Sequence, residues 1–136
     1  MIILPPGVLA DLVAHARAEA PVEACGLLAG AGARVQRSCR LTNLDGSPEH
    51  FRLDPREQFA AVRAARSEGL AILGVYHSHP ATPARMSAED VRLAFTPDFH
   101  YVILSLADPA GAVAKSFTVI DGRPVEEAVL HEEPET

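Results

Sequence analysis

The chain has 136 residues, of which 48% are hydrophobic, and its formal net charge is −6. This length and composition are typical of one globular domain with a single core. The chain has one lysine, Lys115, and no basic run, which argues against a nucleic-acid partner. No stretch reaches the roughly 18 apolar residues of a membrane span, and the first residues do not resemble a signal peptide. We therefore expect a cytoplasmic protein that binds neither nucleic acid nor membrane.

The first part of the chain predicts a strand, a helix and a hairpin. Residues 1–4 are apolar and predict an edge strand, which would permit a homodimer. Apolar residues then recur at the helical period over 6–20, and Pro21 ends that helix. The apolar segment 27–29 predicts a buried strand, and the glycines that follow it indicate a hairpin with a strand over 34–43.

The middle of the chain predicts a loop, a second helix and a buried strand. Turn residues fill 43–49, and the alternating residues 50–53 predict a short strand. Asp54 then stands where an N-cap precedes proline, and the helix runs to about residue 67. Its predicted inner face consists of Phe59, Val62 and Ala65. The apolar run 71–76 follows and predicts a buried strand.

The last part adds a short helix and three strands. Ser87 opens the helix, 100–106 predicts a central strand, and 112–120 and 125–130 predict two further strands. Strands occur both in hairpin-like pairs and across helices, which indicates an α/β fold with a mixed sheet. We expect a single domain over residues 1–130, followed by a short acidic tail over residues 131–136.

Two histidines, His77 and His79, stand two residues apart directly after the apolar run 71–76. Alternate residues of an extended segment point to the same face, so both imidazoles can reach one metal ion. Asp90 follows eleven residues after the second histidine. Two imidazoles and one carboxylate form a zinc set that leaves a fourth position open, as catalytic sites do. Alone, each part is a weak signal. The segment from Ser87 to Asp90, for example, also predicts a helix N-terminus of capping-box type.

A zinc hydrolase also needs a group that carries a proton. Glu19, Glu23 and Glu49 are the upstream candidates. Glu23 is favoured because it abuts the predicted buried strand 27–29, which would hold it rigidly. Ser87 offers a hydroxyl that could donate to an oxyanion.

Together these residues resemble the motif of the JAMM (MPN+) metallopeptidases. Glu23, then His77 and His79 in His-Ser-His-Pro, then Ser87 and Asp90 stand at the spacing of that family. The resemblance implies a cytidine-deaminase-like fold, a curved mixed β-sheet flanked by helices. It also implies one zinc ion per chain, held by His77, His79 and Asp90 with water as the fourth ligand. Glu23 would then be the general acid/base, and Ser87 would stabilise the tetrahedral intermediate.

The resemblance also implies a class of substrate. Only 53 residues separate Glu23 from His77, which leaves little room for the inserts that grip ubiquitin in eukaryotic deubiquitinases of the family. The chain therefore resembles the compact prokaryotic type. For that type we expect hydrolysis of the amide or isopeptide bond after the C-terminal Gly of a ubiquitin-like or sulfur-carrier β-grasp protein ending in Gly-Gly. Whether an amino acid or a lysine side chain leaves stays open.

Three other interpretations remain at this stage. The chain could be a non-catalytic MPN scaffold, although such modules usually lack motif ligands and this chain has all of them. It could be a zinc amidohydrolase of a small molecule, which would have a closed pocket in place of a groove for an extended tail. A zinc deaminase, one form of this second interpretation, would need His-x-Glu and Pro-Cys-x-x-Cys, which are absent. The third interpretation is a DNA-associated protein, and the net charge of −6 argues against it.

Neither cysteine belongs to a zinc-type pair or a disulfide framework. We expect both Cys25 and Cys39 to be reduced and buried. A role of Cys25 as an inhibitory zinc ligand is a further hypothesis.

Overall fold

The computed structural model describes residues 1–132. The elements are β1 (Ile2–Ile3), α1 (Pro6–Glu19), β2 (Cys25–Ala31), β3 (Arg34–Leu41), α2 (Pro55–Ser67), β4 (Ala71–His79), α3 (Ala88–Leu93), β5 (His100–Ser105), β6 (Val113–Ile120), β7 (Arg123–Glu127) and β8 (Val129–Leu130). None of the helices in this part of the chain has the length and apolar character needed to cross a membrane.

The strands form one mixed sheet in the order β7-β6-β5-β4-β2-β3-β1-β8. Strand β1 pairs in parallel with β3 and β8, and β4 pairs in parallel with β5. The other neighbours are antiparallel. Strands β7 and β8 lie at opposite ends of this order, yet only Ala128 separates them in the chain. The sheet must therefore curl back on itself, which confirms the prediction of a curved mixed sheet.

Helices cover both faces of this sheet. Successive strand residues point to opposite sides, so the same strands supply apolar side chains to both faces. On one face Leu12 of α1 packs among Leu28 and Tyr76. On the other face Leu27 packs with Val62 of α2. Full burial of a leucine side chain contributes about 1.5–3 kcal/mol. The two layers therefore hold β4, which lies inside the sheet, from both sides.

Gly26 lies where strand β2 closely approaches the backbone of β3 and the Tyr76 ring of β4. We expect Gly26→Ala to lower the free energy of unfolding by about 3 kcal/mol, the upper end for overpacking. The added Cβ would fall on the carbonyl oxygen of Cys39 and on the Tyr76 ring, and the carbonyl belongs to a paired strand that cannot withdraw. Urea unfolding measures the change. Gly7→Ala is the matched control, since a Cβ there meets nothing within 4 Å. Equal midpoints for the two variants would contradict the prediction.

The prediction of an edge strand at residues 1–4 is wrong. Strand β1 lies between β3 and β8, and Ile2 and Ile3 are buried. These residues contribute to the core, so they offer no free edge for a dimer. The prediction of one strand over 125–130 is also wrong, because the chain leaves β7 at Ala128 and joins the opposite end of the sheet as β8.

Two predictions around α2 also need correction. Residues 50–53 form no strand, and only one isolated bridge joins Asn43 to Leu53. The helical spacing predicts Phe59 on the inner face of α2, but this side chain is 64% exposed, with the Arg63 guanidinium 5.8 Å from its ring centroid. Only Val62 and Ala65 of the expected inner face pack inward. Most of the expected acidic tail, residues 133–136, lies outside the described residues.

Candidate metal centre

His77 and His79 occupy the end of β4, which continues three residues past the predicted strand 71–76. Both side chains point to the face that α2 covers, and both are buried. Their Nε2 atoms lie 3.1 Å apart. Because burial disfavours the charged ring, the pKa of His77 is lowered, and a neutral imidazole is the form that binds a metal.

Asp90 joins the two imidazoles from the first turn of α3. Its Oδ2 atom lies 3.1 Å from Nε2 of His77 and 3.3 Å from Nε2 of His79. Burial acts to raise the pKa of Asp90, but hydrogen bonds from both imidazoles and from the Ser87 N–H outweigh it and hold that pKa well below its usual range. The predicted capping box is present, with Ser87 Oγ accepting the Asp90 N–H at 3.0 Å. The cap therefore aims Asp90 at the histidines.

The spacing of these three atoms fits one metal ion. Tetrahedral zinc with bonds of about 2.0–2.1 Å separates its ligand atoms by about 3.3 Å. The three separations among His77, His79 and Asp90 are 3.1, 3.1 and 3.3 Å. Two imidazoles and a carboxylate are also donors that zinc prefers. The residues present therefore fit the metal that the motif implies.

Glu23 is the second carboxylate at this centre and lies just before β2. It is 3% exposed. One of its carboxylate oxygens and one ring nitrogen from each of His77 and His79 all lie within 4.8 Å of one another. Its Oε1 has no hydrogen-bond partner among the described residues. Burial raises the pKa of Glu23 to about 7, while His79 opposes this shift and Asp90 adds to it. An unpaired buried carboxylate beside two imidazoles suits a site for a cation or a water.

Two contacts that orient the histidines were not predicted from the sequence. Nδ1 of His79 lies 2.9 Å from the carbonyl oxygen of Pro83, which can only accept, so Nδ1 carries a hydrogen. In the neutral ring, Nε2 then offers its lone pair to a metal. The Phe51 ring stacks on His77 with centroids 4.6 Å apart. The sequence carries no spacing signal for either contact, because both partners come from irregular segments.

The other candidate residues lie outside this centre. Glu19 is paired with His15 at 3.8 Å, and Glu49 is exposed. Both cysteines are free thiols, with Cys25 buried and Cys39 only half-buried, so the expected burial holds for Cys25 alone. The Cys25 thiol contacts the carbonyl oxygen of Leu41 at 3.8 Å, and burial raises its pKa to about 12. Nothing in these contacts supports Cys25 as a zinc ligand.

An apolar groove of about 400 Å³ opens beside His77 and Asp90. The exposed side chains of Leu93 and Phe95 stand on its rim. Its other apolar lining residues are Phe51, Leu53, Val75, Met86, Phe99 and Tyr101. The groove therefore leads from solvent to the candidate metal centre.

Known proteins are similar to this chain in sequence. The profile of the prokaryotic homologs of the JAB domain matches residues 5–119. The CysO-cysteine peptidase of Mycobacterium tuberculosis is 43% identical over 120 residues, covering 87% of this chain and 82% of that protein. A probable TtuB-protein conjugate cleaving protease of Thermus thermophilus is 39% identical over 95 residues, covering 69% of this chain and 64% of its own.

The fold has a match among solved structures as well. A Desulfitobacterium hafniense protein solved in solution superimposes with a TM-score of 0.89 at 50% identity, covering 98% of this chain and 94% of that one. The match of the family profile to residues 5–119 covers most of the chain. The chain belongs to the prokaryotic JAB (JAMM/MPN) family.

Proposed function

We propose that this protein is a zinc-dependent peptidase that hydrolyses the bond after the C-terminal Gly of a ubiquitin-like or sulfur-carrier protein ending in Gly-Gly. The observation that carries the proposal is the buried cluster of His77, His79 and Asp90, with ligand atoms 3.1–3.3 Å apart, beside the unpaired carboxylate of Glu23. The names of the mycobacterial and Thermus relatives support a protein conjugate as substrate.

The side chains would divide the reaction between them. His77, His79 and Asp90 would hold one zinc ion, which when bound supplies a Lewis acid and an acidified water. Glu23 would take a proton from the attacking water and return it to the leaving nitrogen as the C–N bond breaks. Without a metal ion, burial raises the pKa of Glu23 to about 7, and a carboxylate with a raised pKa suits a group that must both accept and release a proton. The Ser87 hydroxyl accepts one hydrogen bond and keeps its own hydrogen to donate to the carbonyl oxygen.

The apolar groove would bind the tail of the carrier. Two glycines have no side chains and can pass close to His77, while the preceding residues would lie against the apolar lining. The groove is open and carries exposed apolar residues at its rim, which supports a protein tail over the closed pocket expected for a small molecule. Both cysteines are free, which fits the reducing cytoplasm as the place of the reaction.

The proposal is tested with zinc-loaded protein and three substrates. These are CysO carrying a cysteine on its terminal Gly, the same carrier joined to a lysine side chain of a reporter peptide, and N-acetyl-Gly-Gly-Cys. Mass spectrometry follows release of the free Gly-Gly carrier. We expect cleavage of at least one protein conjugate, and the one cleaved identifies the leaving group. Cleavage of the tripeptide alone would indicate a small-molecule amidohydrolase, and no cleavage with zinc bound would indicate a scaffold.

A further inference from the structure

Ser78 lies between the two histidines and is bonded to the residue that follows Glu23. The Ser78 N–H donates to the carbonyl oxygen of Ala24 at 2.9 Å, and the Ala24 N–H donates to Ser78 Oγ at 2.7 Å. A hydrogen-bonded antiparallel pair normally exchanges two backbone bonds. Here the side chain of Ser78 supplies the second acceptor. The ladder between β2 and β4 is thereby extended beyond Cys25 and His77, where the regular pairing stops.

The backbone of Glu23 is held from the other side by the loop after β3. Its N–H donates to the carbonyl oxygen of Ser47 at 2.9 Å, and its carbonyl oxygen accepts from Nδ2 of Asn43 at 3.1 Å. Asn43 is itself fixed, because its Oδ1 accepts from the N–H groups of Asp45 and Arg52. The peptide groups on both sides of Glu23 are therefore bonded to other elements.

This matters because no hydrogen bond from the described residues holds Oε1 of the carboxylate. The position of the carboxylate therefore depends on the backbone of Glu23. We propose that Ser78 is a positioning residue, whose hydroxyl ties the peptide of Glu23 to the strand carrying His77 and His79 and so fixes the carboxylate beside the imidazoles. The inference rests on the proposed function of Glu23. Ser78 contacts no reacting atom and acts only through Glu23.

The test compares Ser78→Ala with Ser78→Thr, which keeps a hydroxyl, and with Ser116→Ala. Ser116 is a matched control because it is buried on β6 and bonds Glu127, away from Glu23. A displacement of about 1 Å at a catalytic group can cost about a hundredfold in rate. We expect Ser78→Ala to lower kcat by about tenfold to a hundredfold, with KM and zinc content unchanged. Ser78→Thr should restore most of kcat, and Ser116→Ala should keep it.

A second measurement does not depend on activity. The Ala24 N–H is buried and has its acceptor in Ser78. We expect its hydrogen exchange, followed by NMR, to be slow in the wild type and in Ser78→Thr and at least about tenfold faster in Ser78→Ala, while Leu27 and Leu28 of β2 stay protected. Unchanged exchange of Ala24, or wild-type kcat in Ser78→Ala, would overturn the inference. A wild type that exchanges slowly but cleaves no substrate would instead overturn the proposed function.

Asn43→Asp provides an independent variant if Ser78→Ala does not fold. It keeps the two bonds that Oδ1 accepts but removes the Nδ2 donor, which bonds the carbonyl oxygens of Glu23 and His50. We expect the same pattern of lowered kcat with KM and zinc retained. Wild-type kcat in this variant would show that the backbone of Glu23 needs no clamp.

Discussion

Replacement of Glu23 by Gln is expected to lower kcat by about 10²–10⁴-fold, the usual contribution of general acid–base catalysis. The amide has almost the same shape as the carboxylate but cannot accept a proton from water. Because His77, His79 and Asp90 already provide three ligand atoms 3.1–3.3 Å apart, we expect zinc content to stay close to that of the wild type. Steady-state cleavage of the carrier conjugate, beside zinc analysis of the same samples, measures both quantities.

The pH profile gives this variant an internal control. The general base must be ionised to work, so activity is lost as pH falls through the pKa of Glu23. Burial raises that pKa to about 7 without metal, and a nearby cation lowers it. We therefore expect the acid limb of the zinc-loaded wild type below pH 7, and no such limb in the residual activity of Glu23→Gln. Near-normal kcat in this variant would rule out Glu23 as the proton carrier.

Glu19 is a carboxylate against which Glu23 can be judged. It also lies in the segment before β2, but it is half-exposed and paired with His15. Glu19→Gln should therefore leave kcat within about twofold of the wild type, as expected for a surface carboxylate. An equal loss in both variants would show that the effect comes from the charge of the segment and does not depend on proximity to His77 and His79.

The sequence predicts those parts of the centre that depend on local periodicity. His77 and His79 share a face because strand residues alternate, and the structure brings their Nε2 atoms within 3.1 Å. Asp90 is aimed by a capping box that is readable as Ser-x-x-Asp. Such signals span only a few residues, so one sequence is enough to find them.

The parts that were missed depend on which strands become neighbours. Strand β1 is interior only because β8 returns to cover it, and no pattern within residues 1–4 reports that. The role of Ser78 likewise appears only when β2 pairs with β4. Helical spacing predicts Phe59 in the core, but α2 buries a narrower stripe than its apolar residues suggest.

Replacement of Asp90 by Ala is expected to weaken zinc binding by more than about a hundredfold. Loss of a residue that only orients a ligand costs up to about a hundredfold in metal affinity, and loss of a ligand should cost more. The variant removes an anionic atom that contacts both imidazoles, at 3.1 and 3.3 Å. Zinc per chain after dialysis against a competing chelator measures the loss. Glu89→Ala is the matched control, since Glu89 lies in the same helical turn but is exposed and pairs only weakly with Arg92 at 3.5 Å.

The Asp90 and Glu23 variants together decide between two ligand sets that share His77 and His79. In one set Asp90 is the third ligand, and in the other Glu23 is, since its ligand atom also lies within 4.8 Å of both imidazoles. The shorter contacts of Asp90 favour the first set, because zinc ligands stand about 3.3 Å apart. We therefore expect Asp90→Ala to lose zinc and Glu23→Gln to keep it. The reverse result would assign Glu23 to the metal and leave Asp90 as the candidate proton carrier.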